Sequence, residues 1–207
     1  VSACPVNALE LVGESMTVKE VHKEVLKDQM FYEESGGGVT FSGGEPLQQH
    51  KFLNCILAKC QEDGIHTVID ISGYVSWNKF EEVIENVDLF LYDLKIMDDK
   101  KHQKYVGVSN NLILDNLKKL AKTGKDIIIR IPIIPGVNSD EENIKSSGKF
   151  LKEININKVN LLPYHKMGQD KYERKDRDYR LKNVEPPSDE KMEDLAELLK
   201  EMGFTTK

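Results

Sequence analysis

The chain has 207 residues, of which 39% are hydrophobic and 31% charged, so it contains enough apolar material for a folded core. Its 29 basic and 35 acidic residues give a net charge of −6, which argues against a nucleic-acid partner. No apolar run is long enough to span a membrane, and the three cysteines form no disulfide framework, so we expect a cytoplasmic protein without a membrane partner.

Signals that start helices recur along the chain. Thr17 with Glu20, and Ser139 with Glu142, have the spacing of capping boxes, in which the first side chain and the glutamate cap each other's backbone. Apolar residues at helical spacing follow each signal. The predicted helices begin, in chain order, at Thr17, Pro46, Ser109, Ser139 and Ser188, and a shorter helix carries Phe80, Val83 and Ile84.

Short apolar runs rich in β-branched residues alternate with these helices. They cover residues 39–42, 66–71, 87–94, 127–134 and 159–162. Most are continuous apolar runs, which is typical of strands that are buried on both faces of a parallel sheet. A complete eightfold barrel needs roughly 250 residues. The sequence therefore predicts an α/β fold, either a partial barrel or an open sheet, with about five strands.

Each predicted strand ends in polar or ionisable residues. The carboxyl ends of parallel strands share one edge, so we expect these side chains to line a common rim. Their acceptors suit a ligand ammonium group and their cations suit a carboxylate, which together describe a pocket for a zwitterion. The residues are Ser42-Gly43-Gly44-Glu45, Asp70-Ile71-Ser72, Asp93-Leu94-Lys95, Arg130 and Tyr164-His165.

Each of these residues also has a purely structural interpretation. Gly43-Gly44-Glu45 fits a tight strand-to-helix turn, and equally a turn whose backbone closely approaches a ligand. Asp70 and Asp93 could hold a cation between them. Asp93 could equally join Lys95 and Arg130 in an ion-pair network at the rim.

Two features further along the chain also have two interpretations each. His165 fits a base or a hydroxyl donor as well as a half-buried loop histidine. The charge-rich stretch 166–187 is predicted to be a solvated loop, with a mobile lid over the site as the alternative.

Residues 36–47, with the sequence GGGVTFSGGEPL, closely resemble the signature stretch of glycyl-radical-enzyme activating enzymes. These include the pyruvate formate-lyase activating enzymes and belong to the radical S-adenosylmethionine (SAM) superfamily. The resemblance covers nearly the whole chain and implies a partial parallel (β/α)6 barrel. The segments that support it occur in the same order and are Asp70-Ile71-Ser72-Gly73, Asp93-Leu94-Lys95, Arg130 with Pro135-Gly136, and Leu162-Pro163-Tyr164-His165.

The resemblance also implies a reaction. SAM would be cleaved reductively to a 5′-deoxyadenosyl radical, which takes a hydrogen atom from a glycine of a partner glycyl radical enzyme. A flavodoxin or ferredoxin-type protein would donate the electron, through [4Fe–4S] clusters.

The same resemblance assigns roles at the rim. Gly43, Gly44 and Glu45 would receive the methionyl ammonium group of SAM. Asp70 and Asp93 would hold a monovalent cation beside the cofactor. The remaining implied cofactor contacts are Asp70, Ser72, Lys95, Arg130 and His165.

The cysteines depart from the family pattern. The family binds its catalytic [4Fe–4S] cluster through three cysteines spaced C-x3-C-x2-C, and this sequence has no such motif. Cys55 and Cys60 lie five residues apart on one predicted helix, where they point to different faces, so we predict core or surface thiols. The stretch that begins at Cys4 resembles the close of a ferredoxin cluster motif, which makes Cys4 a candidate ligand of an accessory [4Fe–4S] cluster.

These departures predict two parts, a remnant of a ferredoxin-like insert at residues 1–14 and the barrel at residues 15–207. We expect the catalytic cysteines to lie upstream of Val1, and the chain by itself to be inactive.

Two alternatives stay open. One is a binding module that keeps the SAM pocket without radical chemistry, and the other is an unrelated barrel lyase in which Lys95 forms a Schiff base.

Overall fold

A computed structural model describes residues 13–168, Tyr172 and residues 178–206 of the chain. Helices and strands alternate along the described residues. The strands are β1 (Gly38–Phe41), β2 (His66–Ile71), β3 (Leu89–Asp93), β4 (Asp126–Ile133), β5 (Lys158–Pro163) and β6 (Thr205–Thr206). The α-helices are α1 (Val18–Leu26), α2 (Gln29–Ser35), α3 (His50–Glu62), α4 (Trp77–Val83), α5 (Asp99–Val106), α6 (Asn111–Ala121), α7 (Glu141–Glu153) and α8 (Asp189–Glu201).

The strands form one parallel sheet whose spatial order is the order of the chain. Within the described residues β1 and β6 do not pair, so the sheet is open and the fold is a partial barrel. The predicted fold class is confirmed. The described strands number six instead of the predicted five, because β6 has two residues and is too short to leave a sequence pattern.

One face of the sheet carries the core. Along β4, Ile129, Ile131 and Ile133 are buried, whereas Arg130 and Pro132 are half-buried. Strands β3 and β5 alternate in the same way, and the buried residues pack with apolar side chains of the helices. The prediction of strands buried on both faces is therefore wrong for β3, β4 and β5, whose second face is half-buried and carries rim residues, whereas it is confirmed in β2, where Thr67, Val68 and Ile69 are all buried.

The strongest helix signals are confirmed. Thr17 and Glu20 form a reciprocal capping box at the start of α1. Ser188 caps α8 by accepting a hydrogen bond from the backbone N–H of Lys191. Pro46 begins a 3-10 turn, Pro46–Gln49, which leads directly into α3.

Two predicted caps are displaced by one residue. Helix α7 is capped by Asp140, which accepts from the backbone N–H of Asn143 at 2.8 Å, and not by Ser139. A carboxylate at this position is favoured over a hydroxyl because it also interacts with the helix dipole. The N-cap of α6 is Asn110, and the preceding Ser109 donates its hydroxyl to Asp99 at 2.7 Å while accepting from the backbone N–H of Asn111 at 3.2 Å.

Two predictions fall mainly on residues outside the described part of the chain. Residues 1–12 are not described, so the ferredoxin-like remnant at residues 1–14 and the role of Cys4 stay predictions. The charge-rich stretch is described only in part, as a 3-10 turn at Lys166–Gly168, Tyr172 and residues 178–187. None of the described helices combines the length and apolar character needed to cross a membrane.

Candidate functional site

The turn that follows β1 is held by the side chain of Glu45. Its Oε2 accepts hydrogen bonds from the backbone N–H and the hydroxyl of Ser72 at 2.9 and 2.6 Å, and its Oε1 accepts from the backbone N–H of Leu47 at 3.4 Å. Gly43 and Gly44 have φ values of +96° and +61°, in the left-handed region that favours glycine. Among the described residues, no atom beyond the adjoining residues of the chain lies within 4 Å of the place where a Cβ would stand on either glycine. The turn is therefore tied to β2 through its glutamate and open on its glycine side.

Arg130 lies between two carboxylates at the centre of the rim. Its Nε and Nη2 donate to Asp93 Oδ1 at 3.0 and 2.7 Å, and its Nη2 also donates to Asp70 Oδ1. Lys95 Nζ lies 3.7 Å from Asp93 Oδ2, and the Ser42 hydroxyl donates to Asp70 Oδ2 at 3.0 Å. Strand register explains the arrangement, because Arg130 and Asp93 are paired neighbours on β4 and β3.

The Arg130 cluster consists of two cations, Arg130 and Lys95, and two carboxylates, Asp70 and Asp93, so its charges balance. Burial by itself would lower the pKa of Arg130, but attraction and hydrogen bonds from Asp93 and then Asp70 outweigh it and raise that pKa above its usual value. The rim ion-pair network considered from the sequence is present and also includes Asp70. Because the guanidinium already bridges both carboxylates, a monovalent cation between them would have to share these oxygens, and that site stays a prediction.

A cavity of about 540 Å³ adjoins the cluster. Lys95 belongs to both, since its ammonium faces Asp93 and its side chain forms part of the cavity wall. The far wall is anchored to the end of β5, where the Tyr164 hydroxyl lies 2.8 Å from that of Tyr179 and donates to the carbonyl of Leu181 at 3.3 Å. The walls also include Tyr105, Pro132, Ile134, Val137 and Arg180.

Two asparagines fix the rim, and sequence reasoning missed both. Asn138 is buried, and its Nδ2 donates to the carbonyls of Lys95 and Pro132 at 2.7 and 2.6 Å. Its Oδ1 accepts from the backbone N–H of Ile134 at 2.7 Å. Asn143 adds a longer bond to the Lys95 carbonyl at 3.4 Å. An uncharged amide directly after an apolar strand and its turn is the sequence signal that could have identified Asn138.

The structure brings most of the predicted residues together in two groups. Glu45 and Ser72 form one, beside Gly43 and Gly44, and the Arg130 cluster is the other. His165 is exposed at the end of β5 and makes no hydrogen bond or ion pair with either group in the described part of the chain. The proposed contact of His165 with a ligand stays a prediction.

The described cysteines do not suit an iron–sulfur cluster. Both lie on α3, where Cys55 is exposed and Cys60 is buried, which agrees with the prediction of core or surface thiols on different faces of one helix. Among the described residues, no group of three His, Cys, Asp or Glu side chains is placed to hold a metal ion. A [4Fe–4S] cluster needs several thiolates close together, so the described cysteines do not fit such a cluster.

We expect iodoacetamide to alkylate Cys55 well before Cys60 in the native protein. Burial, and then repulsion from Asp63, raises the pKa of Cys60 to about 11, so ~1 in 1,000 of these thiols is ionised at about pH 8. Peptide-resolved mass spectrometry after timed labelling measures both rates, and unfolded protein is the control. Equal rates in native protein would contradict the burial of Cys60.

Comparisons with known proteins show what the chain is similar to. Residues 3–146 match the Radical SAM superfamily. Over 204 residues the chain is 46% identical to the trans-4-hydroxy-L-proline dehydratase activating enzyme of Clostridioides difficile, covering 97% of this chain and 68% of that protein. Over 183 residues it is 44% identical to the (2S)-3-sulfopropanediol dehydratase activating enzyme of Klebsiella oxytoca, covering 87% and 58%.

A solved structure is similar in fold and sequence. It is a domain of pyruvate-formate lyase-activating enzyme from Bacteroides vulgatus ATCC 8482, with a TM-score of 0.70 and 38% identity. The match covers 83% of this chain and 98% of that domain. The chain spans 68% and 58% of the lengths of the two enzymes described above.

Proposed function

The chain belongs to the radical SAM superfamily and, within it, to the activating enzymes of glycyl radical enzymes, and from that premise we propose that its rim binds SAM for the activation of a partner enzyme. Members of this superfamily use SAM and a [4Fe–4S] cluster. In the proposed reaction SAM is cleaved reductively, and the resulting 5′-deoxyadenosyl radical takes a hydrogen atom from a glycine of a partner glycyl radical enzyme. A flavodoxin or ferredoxin-type donor in the cytoplasm supplies the electron.

One observation carries the SAM assignment. The rim presents the open turn at Gly43 and Gly44, with the oriented carboxylate of Glu45, on the same edge of the sheet as the cations Lys95 and Arg130. In this proposal the turn and Glu45 supply acceptors for the methionyl ammonium group, and Lys95 and Arg130 supply donors for the methionyl carboxylate.

The residues of the chain bind and orient the substrate. Backbone carbonyls of Gly43 and Gly44, with Glu45, receive the ammonium group. Lys95 and Arg130 hold the carboxylate, and Asp70 and His165 accept or donate hydrogen bonds at the ribose. Asp70 and Asp93 also keep the Arg130 guanidinium in place before SAM binds.

The cysteines limit what these 207 residues do alone. The chain has three cysteines, and α3 places Cys55 and Cys60 in an exposed and a buried position. We therefore propose that the isolated chain binds SAM and does not cleave it. The family assignment removes the alternative of an unrelated Schiff-base lyase. The other alternative, a module that binds SAM without radical chemistry, is tested by the experiment below.

The test is calorimetric titration of the chain with SAM, together with a search for 5′-deoxyadenosine after addition of dithionite. We expect saturable binding, at least about tenfold weaker binding in Glu45→Gln because a charge-assisted hydrogen bond is lost, and no 5′-deoxyadenosine. The matched control is Glu81→Gln on the exposed face of α4, which should bind like the unaltered chain.

Three outcomes would change the proposal. No saturable binding, or equal binding by Glu45→Gln, would remove the SAM site. Formation of 5′-deoxyadenosine by the isolated chain would contradict the proposed inactivity. Binding without cleavage, even in the natural protein reconstituted with iron and sulfide, would favour the binding module.

A further inference from the structure

The contact between Glu45 and Ser72 joins the turn after β1 to the end of β2. We propose that Ser72 is a positioning residue, which orients the Glu45 carboxylate and thereby holds the Gly43-Gly44 turn in the form that receives SAM. This inference rests on the proposed function. It changes the implied role of Ser72 from direct contact with the cofactor to action through Glu45.

The hydrogen bonds that Glu45 accepts are distributed unequally between its two carboxylate oxygens. Its Oε2 receives two donors from one residue, the backbone N–H of Ser72 at 2.9 Å and the hydroxyl at 2.6 Å. From the residues that the structure describes, its Oε1 receives only the N–H of Leu47, at 3.4 Å. A carboxylate has about four acceptor positions, so Ser72 fills those of one oxygen and leaves capacity on the other. The glutamate is thus fixed in rotation and still able to accept from a ligand.

The carboxylate is tied to the turn as well as to β2. Glu45 is the N-cap of the 3-10 turn Pro46–Gln49 and follows Gly44 directly. Both glycines are exposed, and the described side-chain hydrogen bonds on either side of them are those of Glu45 and that of Ser42, whose hydroxyl donates to Asp70 at 3.0 Å. The turn is therefore held at its two ends, and its conformation depends in part on where Glu45 is held.

Ser72 itself is anchored to the buried core. Gly73 follows it in the left-handed region, with φ +74°, and packs against the buried ring of Tyr92. The side chain of Asn116 on α6, 1% exposed, donates to the carbonyls of Gly73 and Val75 at 2.9 and 2.7 Å. These contacts form a continuous brace from α6 through the loop after β2 to the turn after β1.

The test compares Ser72→Ala with Ser72→Thr, which restores a hydroxyl, in the full chain. The matched control is Ser76→Ala, a nearby exposed serine whose side chain makes no capping hydrogen bond. The first readout is hydrogen–deuterium exchange without SAM. In Ser72→Ala we expect exchange of the peptide covering residues 43–49 to rise about tenfold or more, with exchange in β4 unchanged. Threonine should reverse most of the rise.

The second readout is SAM affinity in the same variants and in the double variant with Glu45→Gln. We expect Ser72→Ala to weaken SAM binding by about tenfold, and to add little once Glu45 has been altered, because both act through one contact. Threonine should recover most of the affinity, and Ser76→Ala should leave both readouts unchanged.

Each contrary result has a definite meaning. Unchanged exchange at residues 43–49 would overturn the brace, and weaker affinity with independent effects of the two substitutions would indicate direct contact of Ser72 with SAM. Faster exchange throughout the protein would reduce Ser72 to a general stabilising role, which also overturns the proposal. If the unaltered chain binds no SAM, the proposed function fails, but the exchange measurement still decides whether Ser72 holds the turn.

Discussion

Replacing Gly73 with alanine is expected to destabilise the protein by about 3–5 kcal/mol. The new Cβ would overlap the hydroxyl and ring of Tyr92, and would lie 2.9 Å from its Cε2. The ring has no room to move, because Tyr92 is fully buried and its hydroxyl donates to the carbonyl of Ile113 at 2.7 Å. The φ of +74° adds the strain of a left-handed conformation. Unfolding in urea, followed by circular dichroism, measures the loss.

A second glycine, Gly64, serves as a control that separates the cost of atomic overlap with Tyr92 from the cost of backbone strain. Gly64 has φ +70°, and in the described part of the chain no atom beyond its chain neighbours lies within 4 Å of the position of a Cβ, so Gly64→Ala should cost about 1–2 kcal/mol. In a Tyr92→Leu background, which removes the overlapping atoms, the cost of Gly73→Ala should fall towards the Gly64 value. Equal losses in Gly73→Ala and Gly64→Ala would show that Tyr92 does not confine the loop after β2.

Replacing Arg130 with methionine is expected to cost about 2–4 kcal/mol of unfolding free energy at neutral pH. The substitution leaves Asp70 and Asp93 facing each other without the guanidinium that bridges them. The three side chains are 19–20% exposed, so the expected loss is below the range for fully buried pairs. In the proposed function the same variant also loses a donor to the SAM carboxylate, so its SAM affinity should fall.

An exposed ion pair on the same sheet provides the control. Lys158 Nζ lies 3.2 Å from Asp126 Oδ1, with side chains 47% and 70% exposed, so Lys158→Met should cost less than about 0.5 kcal/mol. Asp70→Asn with Asp93→Asn in the Arg130→Met background should restore part of the lost stability by removing the carboxylate repulsion. A loss in Arg130→Met no larger than in Lys158→Met would show that the bridge contributes little.

The two stability predictions concern the same part of the molecule as the proposed site. Gly73 lies next to Ser72, which holds the turn after β1, and Arg130 holds the two aspartates of the neighbouring strands. The rim is therefore expected to be ordered before SAM arrives, because its hydrogen bonds and ion pairs are already formed. Preordering of this kind lowers the cost of binding a small charged substrate.

The sequence by itself determined most of the helices and strands and which residues reach the rim, although it did not predict α2, α5 or the two-residue β6. Thr17 and Ser188 start helices because their capping bonds are made within one turn of the chain. The runs that became β2 and β4 carry enough β-branched and apolar residues to specify strands. Since parallel strands end at a common edge, the location of Asp70, Lys95 and Arg130 at that edge also follows from the sequence.

The tertiary structure alone decided which partner each rim residue takes. Glu45 and Ser72 are separated by 27 positions in the sequence. Arg130 is 37 positions from Asp93 and 60 from Asp70, so these contacts depend on strand register. A polar side chain has several neighbours within reach once the sheet forms, and local patterns do not rank them. The brace from Asn116 to the loop after β2 was settled in the same way, by distances that exist only in the folded chain.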